Sequence, residues 1–384
     1  MRALLLTFCL ICLRTSFAEN CSFSFDQLPS KLSATCLYEN IESKQLNSAL
    51  EAYSPRYPLW SDGALKERWV YLPPGAQINT KDPNHWEFPV GTVFWKQFSL
   101  DGKRLETRVI KKVGDTREPF VAGSSVNWIY GSYAWNADES EAILQQWEVE
   151  RARGTAHTIP SKASCYSCHG VEGFTLDENQ LFKDSYLDFR PLGFKAFQLT
   201  DASQDFPEVC REKLHSSYLK EISLDSLTLN KLLDANLLTD SHDWKNRASL
   251  IPGDSLQRAT LAYFSVNCSH CHSSGIPDVH NVLKVPGLFA GEAGFVGMRL
   301  AVDVSGTPYE MQPALVTLVN QKTSYYRRAS GGVFRVKAGD YEESALWRRF
   351  TSSSFDHMPK IGAHKVDPYG QCLIENWIES LGED

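Results

Sequence analysis

The sequence predicts an α+β multidomain chain, in which an N-terminal antiparallel region of the β-sandwich type precedes a mainly helical region. Two observations lead to this fold class. Short strand patterns with regular turn signals fill residues 50–150, and amphipathic helical patterns dominate the last third of the 384-residue chain. The third observation is that the pattern C-x-x-C-H occurs twice, at 165–169 and 268–272. The two copies divide the helical region into two parts.

The strand patterns are clearest between residues 50 and 150. Glu67–Leu72 alternates apolar and polar residues and stops at Pro73-Pro74-Gly75, a strong turn signal. Asp101-Gly102 predicts a two-residue hairpin turn. Other strand-like stretches follow at short spacing: Trp86–Phe88, Gly91–Phe98, Leu105–Lys111, Trp128–Trp135 and Ala142–Glu150. The tryptophans either pack in the core and on the sheet faces or line a ligand cleft: Trp60, Trp69, Trp86, Trp95, Trp128, Trp135 and Trp147.

Each C-x-x-C-H pentapeptide has the residues and the spacing that attach a c-type haem. Two thiols three positions apart can add to the two vinyl groups of one porphyrin, and the following histidine is then the proximal iron ligand. A four-cysteine zinc site or reducible disulfides are the alternatives, but neither explains why histidine follows both pairs. We therefore predict two covalently attached haem c groups on these residues: Cys165, Cys168 and His169, and Cys268, Cys271 and His272.

The last third of the chain has the order of elements found in a class I cytochrome c. Asp254-Ser255 can cap a helix from Leu256 through Asn267 that runs into the second motif, and a second amphipathic helix is predicted over Tyr369–Leu381. Met358 precedes a proline in a loop before that helix, where its thioether can bind the iron opposite His272 and raise the reduction potential. The alternatives are that Met358 is a core residue, or that His357 takes the same position.

The segment of the first motif shows no such methionine. Ser161 is a candidate N-cap for a short helix before the motif, and residues 165–255 are expected to be mostly helical with loops. Section 275–335 is rich in glycine and strand-like and contains Met298 and Met311, and a helix is predicted over Ser344–Phe350. The far side of the first iron is therefore either open to water or substrate or closed by a histidine, the candidates being His157, His215 and His242.

The N-terminus has the features of a secretory signal peptide. Met1-Arg2 is followed by the apolar run Ala3–Leu13 and by the small-residue cleavage pattern Ser16-Phe17-Ala18. This predicts a periplasmic or secreted protein with no integral membrane segment after cleavage. The loss of two arginines and no acids takes the formal charge from −7 to −9. An acidic surface argues against a nucleic-acid partner and suits a basic redox partner protein.

Four cysteines remain outside the motifs after cleavage. An even number in an exported chain suggests two disulfides. Cys21–Cys36 is the natural local pair, and Cys210–Cys372 follows by elimination.

The chain resembles a group of exported bacterial dihaem c-type cytochromes that join an N-terminal β-rich region to a cytochrome c region. The resemblance is spread over most of the mature chain and implies a redox function without naming a substrate. Lys360 stands where this group normally has a second proline after Met-Pro. The matching phrases are Tyr57–Gly63, Leu72–Gly75, Trp86–Thr92, Glu106–Arg108, Ile159–Ser161, Leu192–Phe194, Gln198-Leu199, Met358-Pro359, Val366-Asp367 and Trp377-Ile378.

These observations predict a signal peptide (1–18), a β-rich domain (19–155), a first haem-binding segment (156–255) and a class I cytochrome c-like domain (256–384). The favoured function is electron transfer by a periplasmic dihaem cytochrome. A second hypothesis is a haem-dependent peroxidase or oxidase, in which an open first haem receives electrons from the second. A third is a binding module, in which the β-rich region recognises a ligand or partner and the haems are accessory.

Overall fold

The computed structural model describes residues 22–115, 127–176, 182–200, 206–220, 226–247, 249–272, 298–323 and 334–382. The predicted signal peptide and Cys21 lie outside these ranges, as do large parts of section 275–335. Every helix within the described ranges is too short or too polar to span a lipid bilayer.

An antiparallel sheet forms the N-terminal region. Its order is β10-β9-β8-β7-β4-β3. All six strands thus follow one another in chain order as a meander, which the small β5–β6 hairpin interrupts between β4 and β7. The strands up to this point of the chain are β1 (Tyr38–Asn40), β2 (Gln45–Leu46), β3 (Glu51–Ala52), β4 (Leu65–Tyr71), β5 (Asn79–Asp82), β6 (His85–Glu87), β7 (Val93–Leu100), β8 (Lys103–Lys112), β9 (Trp128–Trp135) and β10 (Ala142–Leu144).

The two faces of this sheet are covered by different parts of the chain. Trp95 and Tyr133 pack on one side against the N-terminal segment around Leu32. Phe94 and Tyr130 belong to a larger core on the other side, which extends as far as the C-terminal helix. The second layer in the described chain is thus helices and irregular segments. The prediction of an antiparallel sheet is confirmed, but its sandwich form is wrong, because a sandwich needs a second sheet on that face.

The β7–β8 hairpin turns at Asp101-Gly102, as predicted. Leu100 pairs with Lys103, and both turn residues have positive φ angles, 53° and 74°. This is the backbone of a type I′ turn, which favours Asp-Gly.

Most of the tryptophans are buried in the core. This agrees with the interpretation that they pack in the core and on the sheet faces. Trp147 differs, with 82% of its surface exposed. The buried tryptophans of this region are Trp60, Trp69, Trp95, Trp128 and Trp135.

A short helix, α1 (Lys162–His169), contains the whole of the first motif. The Ser161 hydroxyl accepts a hydrogen bond from Ser164 N at 3.3 Å, which confirms Ser161 as the N-cap. The chain then forms an antiparallel hairpin of β11 (Gly170–Leu176) and β12 (Phe182–Phe189). The expectation of mostly helix after the motif is wrong here. These segments are rich in aromatic and branched residues, which favour strands.

The remaining helices are short except for two. They are α2 (Ser216–Lys220), α3 (Leu229–Asp234), α4 (Ser255–Asn267), α5 (Pro313–Leu318), α6 (Ala345–Thr351) and α7 (Pro368–Ser380). A reciprocal capping box between Asp254 and Gln257 begins α4, and Asp367 caps α7. In the described part of section 275–335, Met311 lies in a 3-10 helix and α5 follows, so the strand-like prediction for this stretch is wrong.

The terminal helix packs on the helix that precedes the second motif. Phe264 of α4 meets Trp377 of α7 edge to face, with ring centroids 5.3 Å apart. A Cβ atom on Gly370 would lie 2.2 Å from the Tyr263 ring, so the two helices cross where only glycine fits. Helix α7 is also bound by the Cys210–Cys372 disulfide, which confirms that prediction. Cys36 is disulfide-bonded as well.

Candidate functional site

The first motif is anchored at its histidine by the β11–β12 hairpin. This hairpin returns the chain to Arg190, whose N–H donates to the His169 carbonyl at 3.0 Å. The Arg190 carbonyl lies 2.8 Å from Nδ1 of His169. A carbonyl can only accept, so Nδ1 bears the proton and Nε2 keeps its lone pair, which is the tautomer that ligates a metal. Burial lowers the pKa of His169 to about 3, so the ring is neutral.

A buried ion cluster lies beside the two cysteines of this motif. Glu106 accepts hydrogen bonds from Arg108 at 2.6 and 3.0 Å, and Nε2 of His157 lies 2.7 Å from the same carboxylate. Burial opposes the charge on Glu106, but Arg108 and His157 hold its pKa at about 2. Arg108 in turn interacts electrostatically with Cys165 and Cys168. His157 is therefore engaged by Glu106, and the Arg108 guanidinium places a positive charge near both thiols of the first motif.

The second motif forms one turn directly after α4. Cys268 is the C-cap, and its carbonyl accepts from Cys271 N at 3.1 Å and from His272 N at 2.9 Å. Burial raises the pKa of the Cys268 thiol to about 12 and lowers the pKa of His272 to about 4. The Nδ1 atom of His272 is buried and makes no hydrogen bond within the described chain. Both histidines of the two motifs are thus neutral rings, the protonation state in which an imidazole ligates a metal.

The two motifs meet in the fold. The thiols of Cys168 and Cys271 are hydrogen-bonded to each other, and His270 also bonds to Cys168. The contact with Cys271 lowers the pKa of Cys168 and raises that of Cys271, because one sulfur accepts the proton that the other donates. The sequence places these residues about a hundred positions apart and gives no sign of the contact.

The contact between the cysteines of the two motifs involves only two thiols, those of Cys168 and Cys271. Among the described residues, no group of three or more His, Cys, Asp or Glu side chains is arranged to hold a metal ion. All four motif cysteines lie outside any disulfide.

Met358 lies in the loop between α6 and α7. Its N–H donates to the carbonyl of Arg349 at 2.9 Å. The guanidinium of Arg349 is close enough to His272 to contribute to the lowering of its pKa. Arg349 therefore connects the methionine loop with the second motif. His357, the weaker candidate, donates its N–H to Ser354 in the same loop.

The methionine loop is also fastened to the N-terminal region. The indole N–H of Trp60 donates to the Lys365 carbonyl at 2.8 Å, and Trp60 N donates to the side chain of Asn267 at the end of α4. Oδ1 of Asp62 accepts from the N–H groups of His364 and Lys365 at 2.9 and 2.8 Å. Sequence reasoning assigned no role to segment Tyr57–Gly63. In the structure this segment contacts both the end of α4 and the loop that contains Met358.

The other two candidate distal histidines make contacts outside the first motif. Nδ1 of His215 lies 2.9 Å from the Ser217 hydroxyl, and its ring meets the Trp60 ring at 5.4 Å. Nε2 of His242 contacts the carbonyl oxygen of Thr80. His270, an interior residue of the second motif, is the histidine that bonds directly to Cys168 of the first motif. Sequence reasoning missed it because a residue between two cysteines reads as a spacer.

Comparisons with protein-family models, curated proteins and solved structures find no match to this chain. The resemblance to exported dihaem cytochromes therefore rests on the phrases of the sequence, and the family remains a prediction.

Proposed function

We propose that this chain is an exported dihaem c-type cytochrome that transfers electrons in the periplasm or outside the cell. Cys165 and Cys168 would hold one haem and Cys268 and Cys271 the other. A bound haem supplies iron that changes reversibly between Fe(III) and Fe(II). The observation on which the proposal depends is the contact between Cys168 and Cys271, since a relay needs its two redox groups close together.

The protein residues around the motifs suit this role. The carbonyl of Arg190 fixes the orientation and tautomer of the His169 ring, so that His169 would hold the iron of a bound haem through Nε2. His272 is neutral and buried, and Met358 lies in a loop joined to the same region. A bound haem at the second site would be held by His272 and Met358, and a thioether ligand would favour its Fe(II) form. We expect the first haem to have the lower potential, because only the second has a methionine candidate.

Intact mass of the periplasmic protein tests the proposal. The mass should exceed that of the processed polypeptide by two haem groups. Cys168→Ala and Cys271→Ala should each reduce the haem bound through its own motif and leave the other. Bound zinc without haem, or a haem-free mature protein from cells that attach haem to other cytochromes, would overturn the proposal.

The engagement of His157, His215 and His242 with other groups favours a second candidate, a haem-dependent peroxidase or oxidase. If none of them reaches the first iron, that iron is open to a small molecule. Rapid binding of carbon monoxide to one haem per chain in the reduced protein, with turnover of hydrogen peroxide or oxygen, would support the enzyme. The relay predicts no rapid binding and no turnover.

A further inference from the structure

A cleft with a volume of about 160 Å³ lies between segment 56–57, segment 197–200, helix α3 and residues 244–247 and 249–251. A cavity of about 150 Å³ holds one benzene ring, so the space suits a ligand with a single ring. None of the described residues of the two C-x-x-C-H motifs lines it. The cleft is therefore a separate feature from the candidate haem sites.

Hydrogen bonds between the walls fix the shape of this cleft. Arg56 N donates to the Gln198 carbonyl at 2.7 Å, and the Gln198 side chain donates to the Tyr57 carbonyl at 3.1 Å. Leu229 N, at the start of α3, donates to the Leu199 carbonyl at 2.5 Å. The walls are thus held together before any ligand arrives, so a ligand would meet little ordering cost.

Half of the lining is aromatic or aliphatic. The rings of Tyr57 and Phe197 are neighbours, with centroids 6.1 Å apart. Apolar and aromatic walls around a small space, with a few polar groups, are typical of a small-molecule site. The apolar members of the lining are Tyr57, Phe197, Leu229, Trp244, Leu250 and Ile251.

The charged part of the lining consists of hydrogen-bond donors. Arg56, Lys245 and Arg247 carry no acceptor in their side chains, and none of the described residues in the lining is acidic. Arg56 donates to the Thr200 hydroxyl at 3.2 Å, and Lys245 forms an ion pair with Asp234. These two cations are therefore partnered within the fold.

Arg247 has donors to spare. Its Nη1 donates to the carbonyl of Val304 at 2.6 Å, and this is the one hydrogen bond of its side chain to the described residues. A guanidinium has five N–H groups, so the bond to Val304 holds the group in place and leaves other N–H groups for a ligand. The polar group of a ligand beside Arg247 must therefore be an acceptor.

We propose that this cleft binds a single-ring aromatic compound whose polar substituent is a hydrogen-bond acceptor, such as an aromatic amide or carboxylate. The ring packs against the apolar part of the lining, and the oxygen of the substituent accepts from Arg247. A cationic substituent would meet like charges instead, which is unfavourable. This site goes beyond the proposed electron transfer and does not depend on bound haem.

Calorimetric titration with four ligands of nearly the same shape tests the cleft. Benzamide and benzoate present an acceptor oxygen, toluene presents none, and benzamidinium presents only donors on a cation. Benzamide and benzoate should bind the wild type saturably, with one ligand per chain, and benzamidinium should not. If neither benzamide nor benzoate binds, or if benzamidinium binds as tightly as benzamide, the proposal is overturned.

The variant Arg247→Met tests the role of the guanidinium, with Arg299→Met as the matched control at an exposed arginine. Arg247→Met should weaken the binding of benzamide and benzoate about tenfold, because a hydrogen bond from a charged donor is lost. Toluene should bind both proteins equally, which shows that the shape of the cleft is kept, and Arg247→Lys should restore part of the affinity for benzoate. Unchanged binding of benzamide and benzoate by Arg247→Met would overturn the assignment of the acceptor to Arg247.

Two further outcomes are decided by the same titrations. If Arg247→Met also loses toluene, its cleft has changed shape, and the order of the four ligands in the wild type then decides the proposal alone. Because none of these ligands requires haem, a mature protein that proves to be haem-free refutes the proposed function and leaves this test of the cleft as it stands.

Discussion

Replacement of Asp62 by alanine tests whether the N-terminal region holds the loop that contains Met358. The Asp62 carboxylate accepts from two backbone N–H groups, at 2.9 and 2.8 Å. Because the site is exposed, we assign about 1 kcal/mol to each bond, at the lower end of the usual range. Asp62 also has a φ of 53°, where alanine costs roughly 1 kcal/mol more than aspartate. Asp62→Ala should therefore destabilise the closed loop by about 3 kcal/mol.

Amide hydrogen exchange at His364 and Lys365 measures this loss directly. A change of about 3 kcal/mol corresponds to roughly hundredfold faster exchange of these two amides. Asp62→Asn is the matched control, because asparagine keeps one acceptor oxygen and tolerates the same φ, so its loss should be about 1 kcal/mol. If Met358 binds a haem iron, the charge-transfer band of ferric iron bound to a thioether should weaken more in Asp62→Ala than in Asp62→Asn. If the two amides of Asp62→Ala remain as protected as in the wild type, the reasoning is refuted.

Three further predictions concern stability, each measured by urea unfolding. Glu106→Gln leaves Arg108 buried without its charge partner and should cost about 3 to 5 kcal/mol. The pKa of Glu106 is lowered from 4.5 to about 2. Its contribution to the stability of the wild type is therefore complete above pH 4.5 and declines as the pH falls toward 2. The stability of Glu106→Gln should not show this decline. Gly370→Ala places a methyl group against Tyr263 and should cost at least about 2 kcal/mol, and an unchanged midpoint would contradict the close helix crossing. Replacing both Cys210 and Cys372 by alanine should cost about 5 kcal/mol, since the bond closes a loop of 162 residues, and a wild-type midpoint in the double variant would show that the bond is not formed.

Features set by neighbouring residues were predictable from the sequence. The Asp101-Gly102 turn requires positive φ at both positions, and its residue types indicate this directly. The caps at Ser161 and Asp254 could be predicted for the same reason, because a side-chain oxygen next to a helix start acts over three residues. The apolar spacing of α7 likewise predicts its buried face, including Trp377.

Features that depend on distant parts of the chain were not predictable. The second layer over the sheet consists of helices and irregular segments, and no local pattern in residues 50–150 distinguishes this layer from a second sheet. The hydrogen bond from Lys365 N to Asp62 joins residues about three hundred positions apart. The contact of Cys168 with Cys271 joins two separate motifs.

The contact between the thiols of Cys168 and Cys271 also bears on the biosynthesis of the protein. Two sulfurs in hydrogen-bond contact need little movement to form a disulfide. One such bond would consume a cysteine of each C-x-x-C-H motif, so a single oxidation would block both attachment sites. If the chain is exported and carries the two proposed haems, these two positions must be kept reduced, or the haems must be attached before the chain folds.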